Sequence, residues 1–148
     1  MSNELLPIKA MNRHRRRLQQ LIVVAEDVST FDKCRHAAAL YVGNRLIGLG
    51  VNQMKSHPLQ AKFGRKDAIY IHAEIDAIRN ALRRVSVDEL QDAVLYVVRS
   101  KRSKPRMSRP CDGCMRAIVH FGIQTVYWTE EHGMDNVPDA EFSHSACG

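Results

Sequence analysis

The stretch AVLYVVRSKRSKPRMSRPCDGCMRAIVHFGIQTVYW, residues 93–128, decides the fold class. Residues 93–98 form a continuous apolar run of strand length, the pattern of a central strand covered on both faces. Residues 99–110 are dense in Lys and Arg and read as a basic loop. CDGCMRAIVHFG (111–122) then reads as a helix, with Pro110 at its start and Gly122 as its stop. TVYW (125–128) is a second β-rich run. Strand, helix and strand in this order predict parallel pairing, with the helix packed on a face of one sheet.

Further toward the N-terminus, Ile75, Ile78, Leu82 and Val85 recur at helical spacing, with Ala77 and Ala81 beside them, so 72–85 is expected to be a helix. Ser86 and Glu89 are spaced as a capping box for a short turn after it. Residues 53–71 are polar, contain His57–Pro58 and Gly64, and read as a long irregular loop of the kind that often serves function. HAAALYVGNRLIGLGVN (36–52) reads as two antiparallel strands around a two-residue turn at Gly43–Asn44. Residues 13–28 place Leu18, Leu21, Ile22, Ala25 and Val28 on one face of a first helix. After Glu130 no period survives, and 130–148 reads as a tail of loop or disorder. The order is α-β-β-α-β-α-β, with no repeat and no linker. A chain of 148 residues is long enough to bury its own core. One domain over 1–148, with its core at about 13–129, is expected.

A charged fraction of 26% beside 45% hydrophobic residues is that of an ordinary globular protein. No run approaches the length of a membrane span, so no membrane partner is expected. MSNELLPIKAMNRHRRR lacks the apolar region of a secretory signal, which makes a cytoplasmic location the expectation. In that reducing setting the four cysteines argue poorly for disulfides. Cys34 and Cys147 are isolated, whereas Cys111 and Cys114 form a C-x-x-C pair, which means metal ligation, a redox dithiol or chance. The net charge is +6 and the pI about 9.4. Much of the charge lies in NRHRRR (12–17) and RSKRSKPRMSR (99–109). Such segments are either plainly solvated or attract phosphate, on a nucleotide or a polynucleotide.

Cys111 and Cys114, three apart, share one face in the first turn of their helix. The N–H groups and dipole there favour thiolates. Thiolates with a neutral imidazole suit zinc. His72 and Glu74, two apart, point about 200° apart on a helix, so both reach one pocket only if it lies off the helix N-terminal end. Two helices aimed end-on at that pocket would bring His72, Cys111 and Cys114 together as three ligands, leaving a fourth position open for water, as in catalytic sites. Zinc brings the pKa of such a water to near 7. Glu74, close to the metal without binding it, would carry protons.

HAE (72–74) and PCDGC (110–114), about forty residues apart, together resemble the H-x-E … P-C-x-x-C signature of the zinc-dependent cytidine and deoxycytidylate deaminase superfamily. GVN (50–52) and AIVHFGIQTVYW (117–128) extend the likeness to roughly residues 30–129. The resemblance implies a three-layer α/β/α fold with a mixed central sheet. It implies zinc on His72, Cys111 and Cys114, with Glu74 as general acid/base. The reaction it implies is hydrolytic deamination at C4 of cytosine or C6 of a purine. Glu74 protonates the adjacent ring nitrogen, then the departing amine, and ammonia leaves. It further implies that Asn52 binds the sugar or base edge, that Ala73 lines the base pocket, and that the chain is a homo-oligomer.

Departures from the family narrow the substrate. The small tetrameric cytidine deaminases have Cys where this chain has His72. Many deoxycytidylate deaminases carry Asn at the position of Asp76, an acid suited to capping backbone amides or orienting a loop. Ser108 and Arg109 replace the Thr/Glu-rich approach of the tRNA adenosine branch; both are expected to bind substrate, and Arg109 to meet a phosphate. Asp76 thus counts against the deoxycytidylate branch, whereas the basic charge favours a phosphorylated substrate over a free base or nucleoside, with dCMP first, converted to dUMP. Deamination of cytosine or adenine in single-stranded DNA or RNA is the rival, with 99–109 as a strand channel. A nucleic-acid-binding zinc module without catalysis is the reading from another class, and it has no need of Glu74. A structural zinc would require a fourth ligand from Cys34, Cys147, His36 or His57, none of which has paired spacing. His57 reads as a loop histidine, His120 as a helix-face residue, and Tyr127 and Trp128 as strand packing.

Overall fold

The computed structural model describes residues 8–29, 31, 35–64, 70–130 and 140–141. Helix α1 (Ile8–Val28) leads into β1 (Arg35–Val42) and β2 (Arg45–Val51). Helices α2 (Pro58–Phe63), α3 (Ala73–Ala81) and α4 (Val87–Leu90) follow. Then come β3 (Val94–Lys101), β4 (Lys104–Arg106), α5 (Asp112–His120), β5 (Thr125–Trp128) and β6 (Ala140–Glu141). The sheet runs in the order β2-β1-β3-β5-β6, with β4 paired to the far end of β3. β3 and β5 are parallel and the other pairs antiparallel, so the sheet is mixed as expected.

Alternation along the strands creates two separate cores. Leu95 and Val97 of β3, with Ala38 and Leu40 of β1, face Ile75, Ile78, Met115 and Ile118 of α3 and α5. Tyr96, Val98, Ala37 and Ala39 face the other way, against Leu18, Leu21, Ile22 and Ala25 of α1. The apolar run at 93–98 is thus buried on both sides, and the helices form the outer layers of an α/β/α stack. Helix α3 lies so close to β2 that only glycine fits between them. A Cβ on Gly50 would stand 2.3 Å from the Ala77 nitrogen, and one on Gly48 would stand 2.4 Å from the Ala77 oxygen.

Several sequence expectations need correction. The segment 53–71 is not wholly irregular: Pro58 starts α2, and His57 caps it by accepting the Leu59 N–H on Nδ1 at 3.1 Å. The expected basic loop is mostly a β-hairpin. Arg99–Lys101 extend β3, and Lys104–Arg106 pair back on them around Arg102 and Ser103 at φ +53° and +61°. Two positive φ values suit the hairpin twist, but Arg-Ser lacks the Asn-Gly composition that announces such a turn. Glu26 of α1 supports it, its carboxylate accepting the Ser103 N–H at 2.7 Å and the Ser100 hydroxyl at 2.6 Å. The tail contributes β6, paired with Thr125 and Val126. The Ser86–Glu89 capping box forms as expected. Cys34 and Cys147 lie outside the described residues. Among those residues, no helix is long and apolar enough to cross a membrane.

Candidate functional site

His72 and Cys111 stand one residue ahead of α3 and α5, as their N-caps, and not inside the helices. Neither side chain caps its own helix; both turn toward each other across the gap. His72 Nδ1 lies 3.6 Å from Cys111 Sγ and 3.3 Å from Cys114 Sγ. Among the described residues these three form a group whose ligand atoms all fall within 4.8 Å of one another. Tetrahedral zinc with its usual bond lengths sets ligand atoms about 3.3–3.8 Å apart, so the donor set fits zinc in both spacing and chemistry.

Protonation in the group follows from its contacts. Hydrogen bonds from Cys114 and then His72 hold the Cys111 thiol down to about 3. The bond to Cys111, with burial, pushes Cys114 well up. The same Cys111 contact raises His72. Glu74, 5% exposed, lies against the Cys114 thiol, and burial pushes its carboxyl upward. A carboxyl so placed holds a proton more readily than one in water.

The ligands are held by neighbouring elements. Gln60 of α2, itself buried, accepts the His72 backbone N–H at 2.8 Å, and Arg116 of α5 donates to the Phe63 carbonyl at 2.7 Å. Helix α2 therefore braces both ligand-bearing arms. Ser108 locks the middle of β3 to the residue that follows β5. Its hydroxyl donates to the Val97 carbonyl at 2.8 Å and accepts the Thr129 N–H at 2.8 Å. This lock fixes the chain directly ahead of Arg109 and Cys111.

A cleft of about 420 Å³ opens over the group. Asn52, Ala73, Glu74, Ser108 and Arg109 line it with His72 and Cys111, and Cys114 is buried beneath. The sequence-predicted residues therefore share one site. Asn52 is fixed by its amide oxygen, which accepts the Ser29 hydroxyl at 2.6 Å and the His36 N–H at 3.0 Å. The sequence reading missed Phe31 and Tyr70 in the wall. Tyr70 stacks on His72 with centroids 5.3 Å apart and planes 3° apart, and Phe31 meets Tyr70 edge-on. Tyr70 and His72 are two apart in extended chain, the spacing that puts side chains on one side; nothing comparable marks Phe31. His36 lines the cleft but, like His57, stands outside the ligand group. His120 packs on Phe63 and Tyr127 stacks on His14, both away from the site.

The family model for the cytidine and deoxycytidylate deaminase zinc-binding region matches residues 11–130. The chain belongs to this family. Zinc is accordingly the cofactor, and His72, Cys111 and Cys114 are residues that could hold it. Members of this deaminase family are also its structural neighbours. The dCMP deaminase of cyanophage S-TIM5 in apo form is similar at a TM-score of 0.56 and 16% identity, over 85% of this chain and 86% of that one. The phage enzyme in complex with dCMP and dUMP gives 0.54 and 15%, over 85% of each chain. Guanine deaminase from Bacillus subtilis gives 0.50 and 22%, over 82% of this chain and 64% of that one. At these identities the likeness establishes the deaminase fold. Comparison with curated protein sequences gives no match.

Proposed function

We propose that this zinc-dependent deaminase acts on a cytosine mononucleotide, converting dCMP to dUMP with release of ammonia. The observation that carries the reading is the buried Glu74 carboxyl beside the His72–Cys111–Cys114 group, at the floor of a cleft whose rim bears the exposed Arg109. Zinc held by those three residues would supply a water acidified toward neutral pH. Burial pushes the Glu74 carboxyl upward, which suits it to pass a proton to the ring nitrogen beside the reacting carbon. It then takes the proton of the newly added hydroxyl and passes it to the leaving amine, which departs as ammonia. Asn52, with its amide oxygen fixed, binds the sugar or base edge. Ala73 forms the floor under the base, and Tyr70 and Phe31 wall it. Arg109, positioned by the Ser108 lock, pairs with the 5′ phosphate. The similar phage fold is that of a dCMP deaminase, which supports this choice of nucleotide.

The test is ammonia release by the zinc-loaded protein from cytidine, deoxycytidine, CMP, dCMP, adenosine, guanine and single-stranded oligonucleotides. Turnover of dCMP well above deoxycytidine is the expected result. A second reading is supported by the exposed Lys101, Arg102 and Lys104 of the β3–β4 hairpin, just ahead of Arg109: a single strand could follow these cations into the cleft. Turnover of oligonucleotides alone, falling steeply with salt, would replace the mononucleotide reading with this one.

A further inference from the structure

Asp76 has no place in the chemistry above, yet its carboxylate is 2% exposed and fully engaged. One turn beyond His72 on α3, it reaches back to the end of β2. One oxygen accepts the Val51 N–H at 3.0 Å and the Gln53 side-chain N–H at 2.8 Å. The other accepts the Arg79 guanidinium at 2.6 Å. The residues held by the first oxygen are those on either side of Asn52. Gln53 is also bridged by two backbone hydrogen bonds to Ile71, the residue before His72. Asp76 therefore ties the Asn52 segment to the helix that carries Glu74, and the Gln53–Ile71 bonds tie it to the residue before His72.

We infer that Asp76 is a positioning residue for substrate binding: it fixes the reach of Asn52 into the cleft, a role that rests on the binding of substrate by Asn52. Deleting its carboxylate removes the side-chain tie on both flanks of Asn52, with the Gln53–Ile71 backbone bonds kept, and leaves the zinc ligands and Glu74 in place. Loss of an aligned binding group shared by ground and transition states raises KM and spares kcat. Asp76→Ala is expected to raise KM by about three- to ten-fold, the range of one well-placed hydrogen bond, with kcat within two-fold and zinc content unchanged. Asp76→Asn keeps an oxygen for Val51 and Gln53, loses only the pairing with Arg79, and should recover most of the rise in KM.

Combination with Asn52→Ala separates positioning from general loosening. Once Asn52 is truncated, Asp76→Ala should add nothing further to KM. Amide exchange at His36, whose N–H rests on the Asn52 side chain, gives a readout independent of turnover. It should accelerate in Asp76→Ala and not in Asp76→Asn. Should Asp76→Ala fail to fold, Gln53→Ala removes one flank alone and should give the same changes at smaller size. The inference is overturned if Asp76→Ala leaves KM and His36 exchange as in wild type, or raises KM equally with and without Asn52. A wild-type protein silent on every nucleotide would sink the proposed function instead, and His36 exchange would still decide whether Asp76 holds Asn52.

Discussion

At Arg109 an exposed guanidinium stands at the mouth of a cleft whose depth is set by a buried carboxyl and two thiols. If it pairs with the nucleotide phosphate, Arg109→Ala raises KM for dCMP by about ten-fold or more, the scale of a charged hydrogen bond. Deoxycytidine, with no phosphate, should lose little. Steady-state kinetics on both substrates check this, and equal losses would remove the phosphate role. Cys111 is one of the three residues that could hold zinc; Cys111→Ser should bind zinc at least about ten-fold more weakly in chelator competition. The His-Ala-Glu and Cys-x-x-Cys spacings were readable because each fixes geometry at a helix start. Phe31 and Tyr70 were not, because single aromatic residues take meaning only from what the fold sets beside them.

The β3–β4 hairpin is the element that sequence reading most misjudged. Its turn puts two non-glycine residues, Arg102 and Ser103, at positive φ, a conformation costing roughly 1 kcal/mol or more per residue. Replacing the pair with Asn-Gly should stabilise the protein by about 1 kcal/mol, measured as a higher Tm with zinc affinity unchanged. Glu26 braces the same turn. Hydrogen bonds from Ser100 and then Ser103, opposed by burial and aided by Arg35, hold its pKa below the ordinary carboxylate value. A depressed carboxylate stabilises the fold above its unfolded pKa, and the contribution disappears as pH falls through the folded one. Glu26→Gln should therefore lower stability at pH 7, with the gap to wild type closing below about pH 4; urea melts at both pH values decide. A gap that stayed constant with pH would show the charge to be irrelevant. The β1–β2 hairpin was legible by contrast, since Gly43 supplies its positive φ openly. Helix α2 was hidden because six residues are too few to show a helical period.

Across the whole molecule, the doubly covered β3 and the parallel β3–β5 pair follow from one apolar run and one strand–helix–strand order. That much of the architecture was legible at 93–128. The close approach of α3 to β2 was not, since the Gly48 and Gly50 that permit it read equally well as strand glycines. The zinc group joins elements distant in sequence, so metal binding should act on the stability of the entire fold. Removing zinc by chelation should lower Tm by on the order of 10 °C, which calorimetry with and without chelator would measure. The proposed deamination rests on Glu74 as its proton carrier. Its most direct test sets wild type beside Glu74→Gln, both assayed for bound zinc and for ammonia released from dCMP. Equal zinc with turnover reduced at least about 100-fold in the variant is the predicted result. Equal zinc with equal turnover would contradict it.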